Sequence, residues 1–147
     1  MKEYTTEQLR NVVLVGHGTT GKTSLAEAML FDAGETTRIG NIADGSTVLD
    51  SSPDEAKRKI SINLGLAYCG WRDCKINIID TPGYDDFVGE LRAGVRVADG
   101  AVLVVSSTGG IEGGAERAWD LLRENSRPTM LVINMMDKEH AALDRVV

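Results

Sequence analysis

Val12-Val13-Leu14-Val15-Gly16-His17-Gly18-Thr19-Thr20-Gly21-Lys22-Thr23 is the stretch that decides how this chain folds. Four apolar residues make a short buried strand, and the G-x4-G-K-T spacing after them is that of a phosphate-binding loop. A helix opens at Lys22-Thr23-Ser24-Leu25. The loop's backbone N–H groups and the helix N-terminus then form a concave anion site. Gly16 and Gly21 permit backbone angles and a close approach that a side chain would obstruct. Lys22 can reach the outer phosphates, and the Thr23 hydroxyl can ligate a magnesium ion that bridges them. Gly16, His17, Gly18, Thr19, Thr20, Gly21, Lys22 and Thr23 therefore read as a nucleoside triphosphate site.

The rest of the composition fits one soluble domain. At 147 residues, with 42% hydrophobic and 26% charged residues, the chain can bury a real core. No apolar run reaches the length of a membrane span, and the stretch from Met1 and Lys2 to Gln8 lacks a leader's apolar segment. The expected location is the cytoplasm. A formal charge of −6 argues against a broad nucleic-acid-binding face, so no DNA binding is expected despite the small basic cluster Lys57-Arg58-Lys59. The two cysteines, Cys69 and Cys74, cannot complete a zinc set and read as free thiols flanking a turn over residues 70–73.

Hydrophobic patterning predicts strands over residues 11–15, 61–69, 75–79, 101–106 and 129–134. The first and the last two are nearly all apolar, as strands covered on both faces are. Residues 61–67 alternate instead, which suits an edge strand running antiparallel to 75–79 across the turn. Helical spacing joins Leu25, Met29 and Leu30, then Phe87, Leu91, Val95 and Ala98, then Ala115, Ala118, Trp119 and Leu122, all expected to face the core. Alternating strands and helices imply a three-layer α/β domain with a mainly parallel sheet and one antiparallel edge strand. Residues 33–60 fit neither period and are rich in Gly, Ser and Pro, Ser51 among them. A loop of that length inside a compact domain is functional or disordered, and its place predicts a nucleotide-sensing switch.

Two further motifs end strands. Asp80-Thr81-Pro82-Gly83 follows Ile76-Asn77-Ile78-Ile79. An acidic residue there can hold magnesium beside the phosphate loop, and Gly83 leaves its N–H free to approach a terminal phosphate. Asn134-Met135-Met136-Asp137 ends the last strand. A placed carboxylate accepts from the guanine ring N–H and exocyclic amine, whereas adenine offers no matching donors.

Together these motifs resemble the translational GTPases, and most closely the elongation factor G group. The resemblance also takes in Arg10-Asn11, Arg58-Lys59-Ile60-Ser61-Ile62, Tyr84-Asp85-Asp86-Phe87, Arg96-Val97-Ala98-Asp99-Gly100-Ala101 and Gly109-Gly110-Ile111-Glu112. It implies a phosphate-loop GTP-binding domain over residues 1–147 with a switch loop at 33–60, binding GTP and GDP with Mg2+. In the full-length family this domain works on the ribosome. It implies Thr23, Ser61 and Asp80 at the metal, and Asn134, Met135 and Asp137 at the base. Lys22, Gly83 and Tyr84 would face the reacting phosphate, with Thr81 and Pro82 beside them. The alternative is a guanine-nucleotide switch module with little or no hydrolysis.

Four departures from the family pattern bear on that expectation. Met135 stands where the family has Lys, which predicts weakened nucleotide affinity with guanine preference kept through Asp137. Tyr84 stands where elongation factor G has His; a phenol is a poor general base at neutral pH but can position water. Ser61 replaces Thr, keeping a hydroxyl, and Thr19 replaces Asp in the phosphate loop. The resemblance also implies a domain that continues past Asp137 with another strand, a Ser-Ala loop and a final helix, so this one reads as C-terminally incomplete. Without that helix, Val12, Leu14 and their neighbours are expected to be less protected, lowering stability and favouring association.

Overall fold

The computed structural model describes residues 3–50 and 52–146; Met1, Lys2 and Ser51, which figured in the reading above, lie outside the described residues. Five strands form one sheet in the order β2-β3-β1-β4-β5. β1 (Leu9–Val15) lies between β3 (Cys74–Asp80) and β4 (Gly100–Ser106), parallel to both, and β5 (Thr129–Asn134) extends the parallel set beyond β4. β2 (Gly65–Trp71) pairs antiparallel with β3 at the opposite edge. Arg72 and Asp73 alone turn the chain there, Arg72 taking a φ of 52°, so the turn is tighter than residues 70–73. The mainly parallel sheet with one antiparallel edge strand is the expected architecture.

Alternation along β1 builds two cores. Leu14 points to the face covered by α1 (Lys22–Asp32) and packs in a cluster with Ala26, Leu30, Leu49, Cys69 and Ile78. Val13 and Val15 point to the other face, where a larger cluster takes in Leu91 and Val95 of α3 (Val88–Val97) and Ala118 and Leu122 of α4 (Gly113–Glu124). Gly94 lets α3 lie close on the sheet, since a Cβ there would sit 3.1 Å from both Thr81 Cγ2 and Val13 Cγ2.

Several expectations change. The edge strand starts at Gly65, not at Ser61. The Ile62 and Asn63 N–H groups donate to Glu55 Oε1 at 2.9 and 3.0 Å, and Leu64 N–H to Glu90 Oε2 at 3.1 Å, so carboxylates take the bonds a ladder would need. Residues 33–60 are not all loop: α2 (Pro53–Arg58) forms inside them. Its signal, Ser52-Pro53-Asp54-Glu55, is a capping box with proline at the first helical turn. The α1 stripe centres on buried Ala26 and Leu30, with Met29 flanking and Leu25 outside the cluster.

Trp119 is 45% exposed rather than core. It faces a groove with Ile111 and Leu131, one step around the helix from the Ala118–Leu122 stripe. Leu14 is fully buried beneath α1 and Val12 is half-buried against the same cluster. Bare apolar surface lies instead at both edges of the sheet: on β5, Met130 is 65% and Leu131 50% exposed, and on β2, Leu66 is 73% exposed. Leu131 points to the α4 face, where it walls the groove beside Trp119, and its neighbour Met130 points to the opposite face.

Candidate functional site

The parallel strands β1, β3, β4 and β5 all end on one side of the sheet, and the motif residues gather there, outside the strands' carboxyl ends. The loop after β1 is closed on itself. Lys22 Nζ and Thr20 Oγ1 both donate to the His17 carbonyl, at 2.8 and 3.0 Å. Gly16 has a φ of 141° and passes so near β4 that a Cβ would lie 2.2 Å from the Val104 oxygen. Gly21, at φ 92°, would put a Cβ 2.3 Å from Asn134 Nδ2. That same nitrogen donates to the Thr20 carbonyl at 2.9 Å, bracing the loop from the end of β5. Thr19 also takes a positive φ, 63°.

At the start of α1, Thr23 Oγ1 donates to Asp80 Oδ2 at 2.5 Å and lies 3.3 Å from Ser61 Oγ. Ser61 Oγ in turn donates to Asp50 Oδ1 at 2.7 Å. Asp80 is buried, and its second oxygen, Oδ1, has no hydrogen-bond partner. Burial pushes the Asp80 carboxyl up to about 6 against the opposing pull of Thr23 and Lys22. Burial also draws the Lys22 ammonium down to about 8, with Asp80 and Asp50 holding it up. Asp50 is raised as well, by burial first, with the Ser61 hydrogen bond working against it.

After β3, Thr81 Oγ1 donates to the Leu14 carbonyl at 2.7 Å, and Pro82 is buried. Gly83 presses on the phosphate loop: a Cβ there would sit 2.5 Å from Gly18 N and 2.6 Å from Lys22 Nζ. Tyr84 is on the rim, 36% exposed. His17, whose Nδ1 is buried without a partner, has Nε2 3.6 Å from Glu112 Oε1 at the start of α4.

A cleft of about 290 Å³ lies among these elements, lined by Gly18, Lys22, Thr23, Ser61, Gly83 and Tyr84, with Asp50 and Met135 also at its wall. Met135 takes a φ of 62°; its carbonyl accepts from Ser107 Oγ at 2.8 Å and its sulfur from Ser106 Oγ at 3.5 Å. Asn134 supports the loop from behind. Asp137 is exposed and lies outside the cleft. A larger groove of about 550 Å³, between α4 and β5, is walled mainly by Leu103, Val105, Ile111, Trp119 and Leu131 and is unsuited to phosphate.

Sequence reading missed Asp50 and Glu55. Asp50 sits in a stretch without period and carries no motif of its own. Glu55 was legible as the partner of Ser52, and burial raises its carboxyl less than its hydrogen bonds to Asn63, Ile62 and Ser52 lower it. No group of three or more His, Cys, Asp or Glu able to hold a metal occurs among the described residues. The donor set at Thr23, Ser61 and Asp80 is all oxygen, with one buried carboxylate oxygen unpartnered. It suits a hard divalent cation that keeps water and phosphate in its shell.

Strand order, phosphate loop and buried acidic strand end together define a phosphate-loop nucleotide-binding domain. The profile of the elongation factor Tu GTP binding domain matches residues 7–147, and the chain belongs to that family. It is 37% identical over its whole length to the mitochondrial ribosome-releasing factor 2 of Scheffersomyces stipitis, and 34% identical over 139 residues to elongation factor G 2 of Borreliella burgdorferi. It spans 17% of the length of the first of these relatives and 21% of the second. A crystal structure from Thermus thermophilus superposes over 90% of this chain and 20% of its own, with a TM-score of 0.87 and 37% identity. A bacterial selenocysteine-specific elongation factor covers 88% of this chain and 20% of its own, with a TM-score of 0.72 and 27% identity.

Proposed function

We propose that this chain is the GTP-binding and GTP-hydrolysing core of an elongation factor G-like translation factor. The observation that carries the reading is the convergence of Thr23, Ser61 and buried Asp80 beside Lys22, in a glycine loop that Asn134 braces. In this reading the backbone N–H groups of residues 16–21 hold the phosphates, and Lys22 neutralises charge on the outer ones. Thr23 and Ser61 offer hydroxyls to Mg2+ while Asp80 supports it through its free oxygen. Held there, Mg2+ would supply neutralisation of the charge that builds on the phosphates. Gly83 brings its N–H to the terminal phosphate, Tyr84 orients the attacking water by hydrogen bonding, and Asn134 and Asp137 select guanine.

The G domain over residues 1–147 with its switch at 33–60, the cytoplasm as working compartment, and the ribosome as partner are parts of the same proposal. The name of the ribosome-releasing factor relative supports the ribosome, and the two free thiols, Cys69 and Cys74, fit a reducing compartment. Among the described residues, no helix is long and apolar enough to cross a membrane.

The test is a titration of the chain with fluorescent GDP and ADP in the presence of magnesium, followed by single-turnover GTP hydrolysis with and without ribosomes. Saturable GDP binding with little ADP binding is expected, and hydrolysis that ribosomes accelerate. Equal affinity for the two nucleotides would overturn the guanine assignment. Guanine binding with no turnover under either condition would leave a switch module in place of an enzyme.

A further inference from the structure

Glu27 lies one helical turn after Thr23 on α1 and is fully buried. Its Oε1 accepts the N–H of Val48 at 2.6 Å and that of Leu49 at 3.3 Å. Its Oε2 is buried without a partner, held under Gly40, where a Cβ would lie 2.4 Å from it and 2.8 Å from Thr47 Cα. The Leu49 side chain inserts into the cluster of Leu14, Leu30 and Ile78, and the next residue is Asp50, which accepts from Ser61 beside Thr23.

These contacts close a ring. Residues four apart on a helix share a face, so one face of α1 presents Thr23 to the cleft and Glu27 to the loop. The loop returns from Glu27 through Val48, Leu49, Asp50 and Ser61 to Thr23. A buried carboxylate that accepts two backbone N–H groups is costly to desolvate, and removing it strands both donors. The mechanism proposed above uses none of its atoms.

We infer that Glu27 is a positioning residue: it pins residues 47–49 to α1 and so presents Asp50 and Ser61 to the ion at Thr23. This rests on the functional reading above for the identity of the ion, but the pinning itself is a property of the nucleotide-free chain.

Two readouts test it. The first is hydrogen exchange at the Val48 and Leu49 amides without nucleotide, in wild type, Glu27→Ala, Glu27→Gln and Gly40→Ala. Loss of a hydrogen bond to a charged group should accelerate exchange by about tenfold in Glu27→Ala. Gly40→Ala, which pushes on Oε2 from the loop side, should act in the same direction. Glu27→Gln keeps an acceptor and should restore most of the protection. The second readout is the magnesium concentration that half-saturates binding of a fluorescent GTP analogue, against affinity for the same analogue in EDTA. A positioning role raises the magnesium requirement about tenfold and leaves the EDTA value within about twofold. Equal weakening with and without magnesium marks general destabilisation and overturns the inference, as does unchanged exchange at residues 48 and 49. If Glu27→Ala does not fold, Gly40→Ala and Glu27→Gln carry the same comparison. Absence of guanine nucleotide binding by the wild type overturns the functional reading and the link to the ion, while the exchange rates still decide the pinning.

Discussion

The ring of Tyr84 lies against Gly18, close enough that a Cβ on that glycine would sit 2.7 Å from the ring's Cζ. The His17 ring stands beside it, its centroid 6.4 Å away and tilted by 57°. The glycine loop after β1 and the segment that follows Asp80 therefore share an aromatic contact, and the phenol is held at the mouth of the cleft. The proposed water-positioning role of the hydroxyl predicts that Tyr84→Phe is slower in single-turnover hydrolysis by about tenfold, with GTP affinity within about twofold. A folded Tyr84→Phe chain that turns over as fast as wild type removes the hydroxyl from the mechanism.

Gly21→Ala meets two obstacles at once. Its φ of 92° disfavours a side chain, and the new Cβ would lie 2.3 Å from Asn134 Nδ2, which braces the loop. Backbone strain alone is worth about 1–3 kcal/mol. The expected result is at least a tenfold loss of GDP affinity, roughly the equivalent of 1.4 kcal/mol, and equilibrium binding measures it.

Asp80 and Lys22 give the nucleotide- and metal-free chain an unusual pH profile. Asp80 is raised from 3.8 to about 6, so its native state holds a proton that the unfolded chain has lost. The stability it contributes is present below about pH 4 and disappears as pH rises through 6. Lys22 is lowered from 10.5 to about 8, so between those values the unfolded chain binds more protons and stability rises with pH. Together they produce a minimum between roughly pH 6 and 8, each limb on the order of 3 kcal/mol. Thermal melts from pH 4 to 10 should show the acid limb in wild type and lose it in Asp80→Asn. Parallel profiles for the two proteins would refute this assignment.

Met135→Lys should raise GDP affinity. The position lines the cleft with a positive φ, and its sulfur accepts a long hydrogen bond from Ser106. An ammonium there adds a donor over the phosphate loop, worth about tenfold in affinity. Unchanged GDP binding would count against a weakened site in the natural chain.

The two apolar surfaces should respond in opposite ways. Leu14→Ala empties a fully buried site under α1 and should cost about 2–5 kcal/mol. Leu131→Glu changes a half-exposed residue and should shift stability by no more than about 0.5 kcal/mol, while reducing self-association on size-exclusion chromatography.

The parts of the chain with a strong local code were legible. Residues 129–134 are a strand with those bounds, because a short, nearly unbroken apolar run set off by Pro128 is too brief for a helix. The phosphate loop was legible because its glycines and its Lys-Thr pair each answer a separate steric or electrostatic demand. The failures are places where a distant side chain overrides the local pattern. The alternation at Ser61–Leu64 looks like strand, yet Glu55 and Glu90 capture its N–H groups. Trp119 keeps helical spacing with core residues, yet it falls on the groove side of α4, one position round from buried Ala118 and Leu122. Asp50 and Glu27 carry no pattern at all, since both matter only through what the folded loop brings to them.

The β2–β3 hairpin gives the site a gauge of length. Gly65 pairs with Asp80 at the open end, and the two-residue turn between Trp71 and Cys74 closes the other. Seven residues go out from the cleft and seven come back. Because the strands run in opposite directions, the exit from the Ser61 loop and the arrival at Asp80 stand on one rung. A slip of one strand past the other by a single residue would offset every rung. It would shift Ser61 against Thr23 without altering a residue that touches the cleft. Changes of length in this hairpin should therefore be taken up as a longer turn at Arg72 and Asp73, with the rung of Gly65 and Asp80 kept.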